Sequence, residues 1–316
     1  MLISRLKHIL PQGFALASQS QARAKSEQRP ISEPPHSKLT GKPVIHFAHA
    51  NGIPSAVYQP MFDALADRFT IEYIPTLGDN PDYPVDSHWD ALTEQVIFSV
   101  RQACQKHQVE QVIGLGHSLG ALCTLQAMYR RPDLFNQALL MDPPWIYGAA
   151  SFIWHMAKQG DRLPKMNNRL MDKLSPAKMS KNRRDVWDSR EQAYEQLRSK
   201  GMFKSFDERC FEGYINFGLT KRADGKVTLT IPKSSEVAIF RTNPSLYWLT
   251  PNEPPIVPVR LIIADDGIFM QRQFPQKIQR RLGIPFETFQ GGHMFPLEQP
   301  DAVAKRLKQL LLNDPA

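Results

Sequence analysis

The run VIGLGHSLGALCTL, Val112 to Leu125, sets one serine between two glycines, Gly116-His117-Ser118-Leu119-Gly120. An apolar stretch leads in and a helix-like run follows. The pattern fits G-x-S-x-G, a sharp strand-to-helix turn that lifts a strained nucleophile clear of a sheet. Side chains two before and two after the serine would collide in so tight a turn, which accounts for the glycines. A serine hydroxyl attacks poorly until a base removes its proton, so the chemistry implied is nucleophilic and requires partners.

The base is expected later in the chain. ETFQGGHMFPLEQP offers His293, with Gly291 and Gly292 giving its loop freedom to reach the elbow. Three carboxylates could orient that imidazole. VPVRLIIADDG ends a strand at Asp265 and Asp266, and the chain order Ser, acid, His favours Asp266. QALLMDPPW ends a neighbouring strand at Asp142, the rival, and Asp265 carries less weight. For the oxyanion, the backbone N–H of Leu119 sits at a helix N-terminus. The second donor is expected from HFAHANGIPSAVY, where Ala50 and Asn51 could turn an amide toward the serine. His49 in the same loop reads as a hydrogen-bonded brace rather than a second base.

With these residues in place, the chain resembles the α/β-hydrolase fold superfamily over about residues 42–143 and 254–312. HANGIP resembles that family's HGxP oxyanion loop, GHSLG its nucleophile elbow and GGHMFPLEQP its histidine loop. The resemblance implies a Ser–His–acid triad beneath a variable cap. Relatives similar to haloalkane dehalogenases and epoxide hydrolases place an aspartate at the elbow, whereas Ser118 points to acyl transfer to water.

The elements that must position these groups can be read from periodicity. PVIHFAHA, TIEYIP and EQVIGLGH read as strands, with helices over SAVYQPMFDALADRF and HWDALTEQVIFSVRQACQKH. A helix from Gly120 to Tyr129 follows, then the strands QALLMD, PVRLIIAD and PFETFQ, a helix near Met270 to Leu282, and a closing helix from Pro300 to Leu312. Such alternation predicts an α/β fold with a mostly parallel central sheet flanked by helices. Between Pro143 and Pro255 it stops, which predicts a mainly helical inserted cap with one hairpin turning at Asp224-Gly225. The divisions expected are an extension (1–40), core (41–143), cap (144–254) and core (255–316). In the cap, Trp145, Tyr147, Phe152, Trp154, Phe211, Tyr214 and Phe217 are either packing or the lining of an apolar acyl pocket.

Composition bounds the remaining classes. A formal charge of +8 is spread thinly over 316 residues, KNRR at Lys181 to Arg184 reads as a solvated face, and no nucleic-acid motif occurs. Residues 1–40 are polar and without apolar period beyond MLISRLKHIL, which suggests a loose arm, a targeting segment or a peripheral membrane tether. Cys104, Cys123 and Cys210 are too scattered for a disulfide framework or metal site and suit a reducing, cytoplasmic compartment. GLGHSLG lacks the Gly-Lys-Ser/Thr ending of a phosphate loop, so neither a cofactor nor a metal is expected. The expectation is hydrolysis of a carboxylic ester or thioester with an apolar acyl group. Carbon–carbon bond hydrolysis, perhydrolysis and a catalytically idle binding module are the alternatives.

Overall fold

Strand β1 (Val44–Ala48) is buried at all five positions, as a strand covered on both faces must be. Its side chains alternate between two cores: Val44 and Ala48 enter one, Ile45 and Phe47 the other. The computed structural model describes residues 41–163, 166, 168–247, 249–251 and 253–313. The expectations for residues 1–40 lie outside the described residues.

After β1 come helix α1 (Gln59–Leu65), strand β2 (Thr70–Tyr73), helix α2 (Asp90–His107), strand β3 (Val112–His117), helix α3 (Leu119–Arg130) and strand β4 (Phe135–Met141). The insertion then carries α4 (Ala149–Asp161), α5 (Arg169–Leu174), α6 (Ala177–Asn182), β5 (Val186–Trp187), α7 (Arg190–Arg198), α8 (Glu208–Phe217), β6 (Leu219–Lys221), β7 (Val227–Leu229) and α9 (Lys233–Thr242). The chain returns to the core with β8 (Val259–Ala264), α10 (Ile268–Gln271), α11 (Phe274–Leu282), β9 (Phe286–Phe289), α12 (Phe295–Glu298) and α13 (Pro300–Asn313).

Six strands form one sheet in the order β2-β1-β3-β4-β8-β9, with every neighbouring pair parallel. Side chains of α2, α3 and α11 fill one core, and those of α1 and α13 fill the other. The central strand β3 is buried throughout, whereas β2 and β9 at the edges are only partly covered.

Two local readings are refined. The helix expected near Met270 to Leu282 is broken into α10 and α11, because Gln273 adopts a left-handed φ of 56° and Pro275 opens the next helix. The expected hairpin gains a third strand, since β5 pairs antiparallel with β7 beside β6. No described helix is long and apolar enough to cross a membrane.

The insertion does not stand off from the sheet. Phe203, Phe206, Cys210, Phe211 and Tyr214 share one core with Phe47, Val57 and Met61. Burial of large aromatic groups there joins α8 to the start of the chain's first helical layer.

Candidate active site

Strand β3 ends at His117, and Ser118 turns the chain into α3 with φ 53° and ψ −116°. This is a strained conformation for any residue with a Cβ, of the kind stored at functional turns at a cost of about 1–3 kcal/mol. The glycines make the turn possible. A Cβ on Gly116 would lie 2.5 Å from the Cα of Ala121, and one on Gly120 would lie 2.2 Å from the carbonyl carbon of Ala48. The Ser118 amide donates to the Met141 carbonyl at 2.9 Å, tying the elbow to the end of β4.

Beside it, β4 ends in a second left-handed residue, Asp142, at φ 42°. Its amide donates to Ile262 at 2.8 Å, and its carboxylate is fully buried. One oxygen accepts the Ala264 amide at 3.2 Å, and the other lies 2.6 Å from Nδ1 of His293. Nε2 of His293 is 2.9 Å from Oγ of Ser118. Ser118, His293 and Asp142 therefore form one hydrogen-bonded line. A carboxylate accepts only, so the imidazole proton sits on Nδ1 and Nε2 is free to accept the serine proton.

The expectation that Asp266 orients the histidine is corrected. Asp265 and Asp266 are both exposed, one and two residues beyond the buried end of β8. They serve the histidine loop instead: Asp265 Oδ1 accepts the Gly291 amide at 2.8 Å, and the Asp266 amide donates to the Gly291 carbonyl at 3.3 Å. The rival carboxylate, Asp142, meets the imidazole because the abrupt left-handed turn at the end of β4 keeps its side chain inside the sheet's C-terminal edge.

Leu119 opens α3, and first-turn amides of a helix lack an intrahelical acceptor. The loop after β1 differs in part from expectation. The Ala50 amide donates to the Tyr58 hydroxyl at 3.3 Å, so of the two expected donors Ala50 is already engaged by a side chain. The loop is pinned from below by Gly120, whose amide donates to His49 at 3.0 Å. From above, the Asn51 side-chain amide donates to the Glu236 carbonyl at 3.1 Å. The Glu236 carboxylate accepts from Ser180 at 2.6 Å and Arg183 at 2.5 Å, so residues of α6 and α9 and the arginine following α6 brace the loop after β1. His49 is fully buried, contacts the Ala50 carbonyl through Nδ1 at 2.7 Å, and has its pKa lowered to about 4 by burial, as suits a brace.

Sequence reasoning passed over Tyr58, His117 and Glu236, and the reading of KNRR as a solvated face holds for Lys181, Asn182 and Arg184 but is corrected at Arg183, which folds inward to pair with Glu236 and Tyr214. His117 was in view as the variable residue of the elbow, but periodicity gives no sign of which buried polar groups will meet.

The aromatic residues of the insertion divide. Trp145, Phe211 and Tyr214 are packed core, while Phe152 and Phe217 are 44% and 51% exposed. Two surface cavities of about 420 and 380 Å³ lie on either side of Pro251, and neither is lined by Ser118 or His293. The site is reached beside His293, whose side chain is 37% exposed, over a serine only 8% exposed. Among the described residues, no three His, Cys, Asp or Glu side chains are gathered to hold a metal ion.

The chain matches the alpha/beta hydrolase family over residues 47–306 and belongs to it. It is 24% identical over 178 residues to the type I acyl-CoA thioesterase mpaH of Penicillium roqueforti (strain FM164), a match covering 52% of this chain and 37% of that protein. It is 27% identical over 105 residues to Karrikin insensitive 2 receptor B of Petunia hybrida, covering 32% of this chain and 38% of the receptor. The matched stretches thus span well under half the length of either curated relative. Among solved structures, E-2-(acetamidomethylene)succinate hydrolase superposes with a TM-score of 0.64 at 16% identity, over 86% of this chain and 92% of that one, a likeness of fold.

Proposed function

We propose that this protein is a serine hydrolase of carboxylic esters, thioesters included, acting through an acyl-enzyme. The observation that carries the reading is the continuous line Ser118 Oγ, His293 Nε2, His293 Nδ1, Asp142 Oδ2, with spacings of 2.9 and 2.6 Å at its two hydrogen bonds.

In this reading Ser118 Oγ attacks the carbonyl carbon while its proton passes to His293 Nε2. Asp142 holds the ring in the Nδ1–H tautomer and stabilises the imidazolium that forms. The amides of Leu119 and Asn51 receive the oxyanion. Collapse of the tetrahedral intermediate expels the alcohol or thiol, which takes the proton from His293. Water, giving one proton through the same imidazole to Ser118, then releases the acyl group as a carboxylic acid, which loses its remaining proton to solvent. No electron donor or acceptor enters these steps. The resemblance to an acyl-CoA thioesterase supports including thioesters among the substrates.

Treatment of the intact protein with a fluorophosphonate tests the reading. A single adduct on Ser118, absent in Ser118→Ala and slowed in His293→Ala, is expected. Folded protein without an adduct overturns it. It would then favour the second reading, ligand binding on a hydrolase scaffold, which the similarity to a receptor and the shallow exposure of Ser118 support.

A further inference from the structure

Behind the elbow, two buried side chains with no part in the proposed proton transfers link the oxyanion loop to the histidine loop. Tyr58 and His117 are both fully buried. The Ala50 amide lies 3.3 Å from the Tyr58 hydroxyl, the hydroxyl 2.7 Å from His117 Nδ1, and His117 Nε2 2.8 Å from the main-chain carbonyl of His293.

The end groups fix every proton between them. A backbone amide only donates and a carbonyl only accepts. His117 must therefore carry its proton on Nε2, where it donates to His293, and offer Nδ1 as an acceptor. The Tyr58 hydroxyl donates to Nδ1 and accepts from Ala50. Each bond runs in the same sense, and the participating polar groups on both buried side chains are satisfied, the condition under which a buried network rigidifies its surroundings. Burial, reinforced by the neighbouring His293 ring at 5.2 Å between centroids, pushes the His117 pKa well below the usual histidine value and keeps this neutral tautomer in place.

We infer that Tyr58 and His117 are positioning residues that hold the Asn51 amide and the His293 imidazole in register with Ser118. This role rests on the serine-hydrolase reading. Ala50 immediately precedes Asn51, so anchoring its amide limits the rotation available to the next peptide plane. His293 is held at both ends, its ring by Asp142 and its carbonyl by His117. A displacement of 1 Å at either loop is enough to cost on the order of 10²-fold in rate.

The test compares His117→Leu, His117→Gln and Tyr58→Phe, assayed with p-nitrophenyl acetate and by the rate of fluorophosphonate labelling. Glutamine places an amide donor near the position of Nε2, and leucine places none. The expected result is a kcat about 10²-fold lower in His117→Leu and Tyr58→Phe, with KM changed less than threefold and at least tenfold of the loss recovered by His117→Gln. Nitrogen-15 spectra of the wild type are expected to show His117 protonated on Nε2.

A folded His117→Leu that turns over at the wild-type rate overturns the inference, as does a glutamine variant no better than leucine. Should both His117 variants fail to fold, Tyr58→Phe decides alone, and wild-type kcat in it counts against the role. Wild-type protein that labels on Ser118 while the variants react normally removes only the positioning role. Wild-type protein that does not label removes the serine-hydrolase reading and this role with it.

Discussion

The carboxylate of Asp142 and the imidazole of His293 meet at 2.6 Å although 151 positions separate them in the chain. The other carboxylate oxygen is fixed by the Ala264 amide, so the aspartate is clamped between two strands before it reaches the histidine. That arrangement selects one aspartate of three and makes the choice testable.

Asp142→Asn is expected to lower kcat about 10⁴-fold by stabilising the wrong imidazole tautomer, as in triads of this geometry. Asp266→Asn is expected to stay within a few-fold of wild type. Steady-state kinetics on a short-chain ester compare the two, and equal losses would refute the assignment.

Asp265 holds the histidine loop by accepting the Gly291 amide at 2.8 Å. Asp265→Ala is therefore expected to slow fluorophosphonate labelling by about three- to tenfold, less than a full 1 Å misplacement would. The melting temperature should barely move. An unchanged labelling rate would show that the loop is held without it.

Gly120→Ala places a Cβ where the backbone of Ala48 already stands, 2.2 Å away. A rigid backbone neighbour cannot yield as a side-chain tip can. Urea unfolding is expected to show a loss of about 1–3 kcal/mol, the usual penalty of overpacking, together with loss of labelling at the displaced elbow. Retention of both stability and labelling would contradict the close approach.

Burial lowers the pKa of His46 and His49 from 6.5 to about 4. Between these values the unfolded chain binds protons that the folded chain refuses. Their contribution to stability is thus fully present above about pH 6.5 and is lost as the pH falls toward 4. A melting-temperature series across that window is expected to decline toward acid, less steeply in His46→Gln. A flat profile would mean that both rings take up protons in the fold as readily as in the unfolded chain.

Much of this was legible in the sequence. Strands covered on both faces read as apolar runs, and G-x-S-x-G carries its own steric reason, so the sheet, Ser118 and the loop of His293 followed from local pattern. Asp142 and Asp266 could not be ranked that way, because both follow apolar strands and differ only in backbone direction at the strand end. Asp142 turns left-handed and stays buried, while Asp266 continues into solvent. Ala50 is a similar case. Its amide orientation depends on a tyrosine eight residues away, and nothing in HANGIP announces that contact.

The position of the insertion also bears on how the molecule is made. Ser118 and Asp142 precede it, whereas β8 and His293 follow it, and β4 finds its partner β8 only after the whole insertion has been synthesised. Until then the apolar strand β4 presents an unpaired edge, the feature that drives intermolecular strand pairing. Parallel pairing across so long a loop is also slow. Packing of α8 against the turn at Ser55–Tyr58 ties the insertion to residues before the first helix, so less of the loop remains to be closed. An insertion held in this way is expected to ease the pairing of β4 with β8, besides bracing the loop after β1 through Glu236.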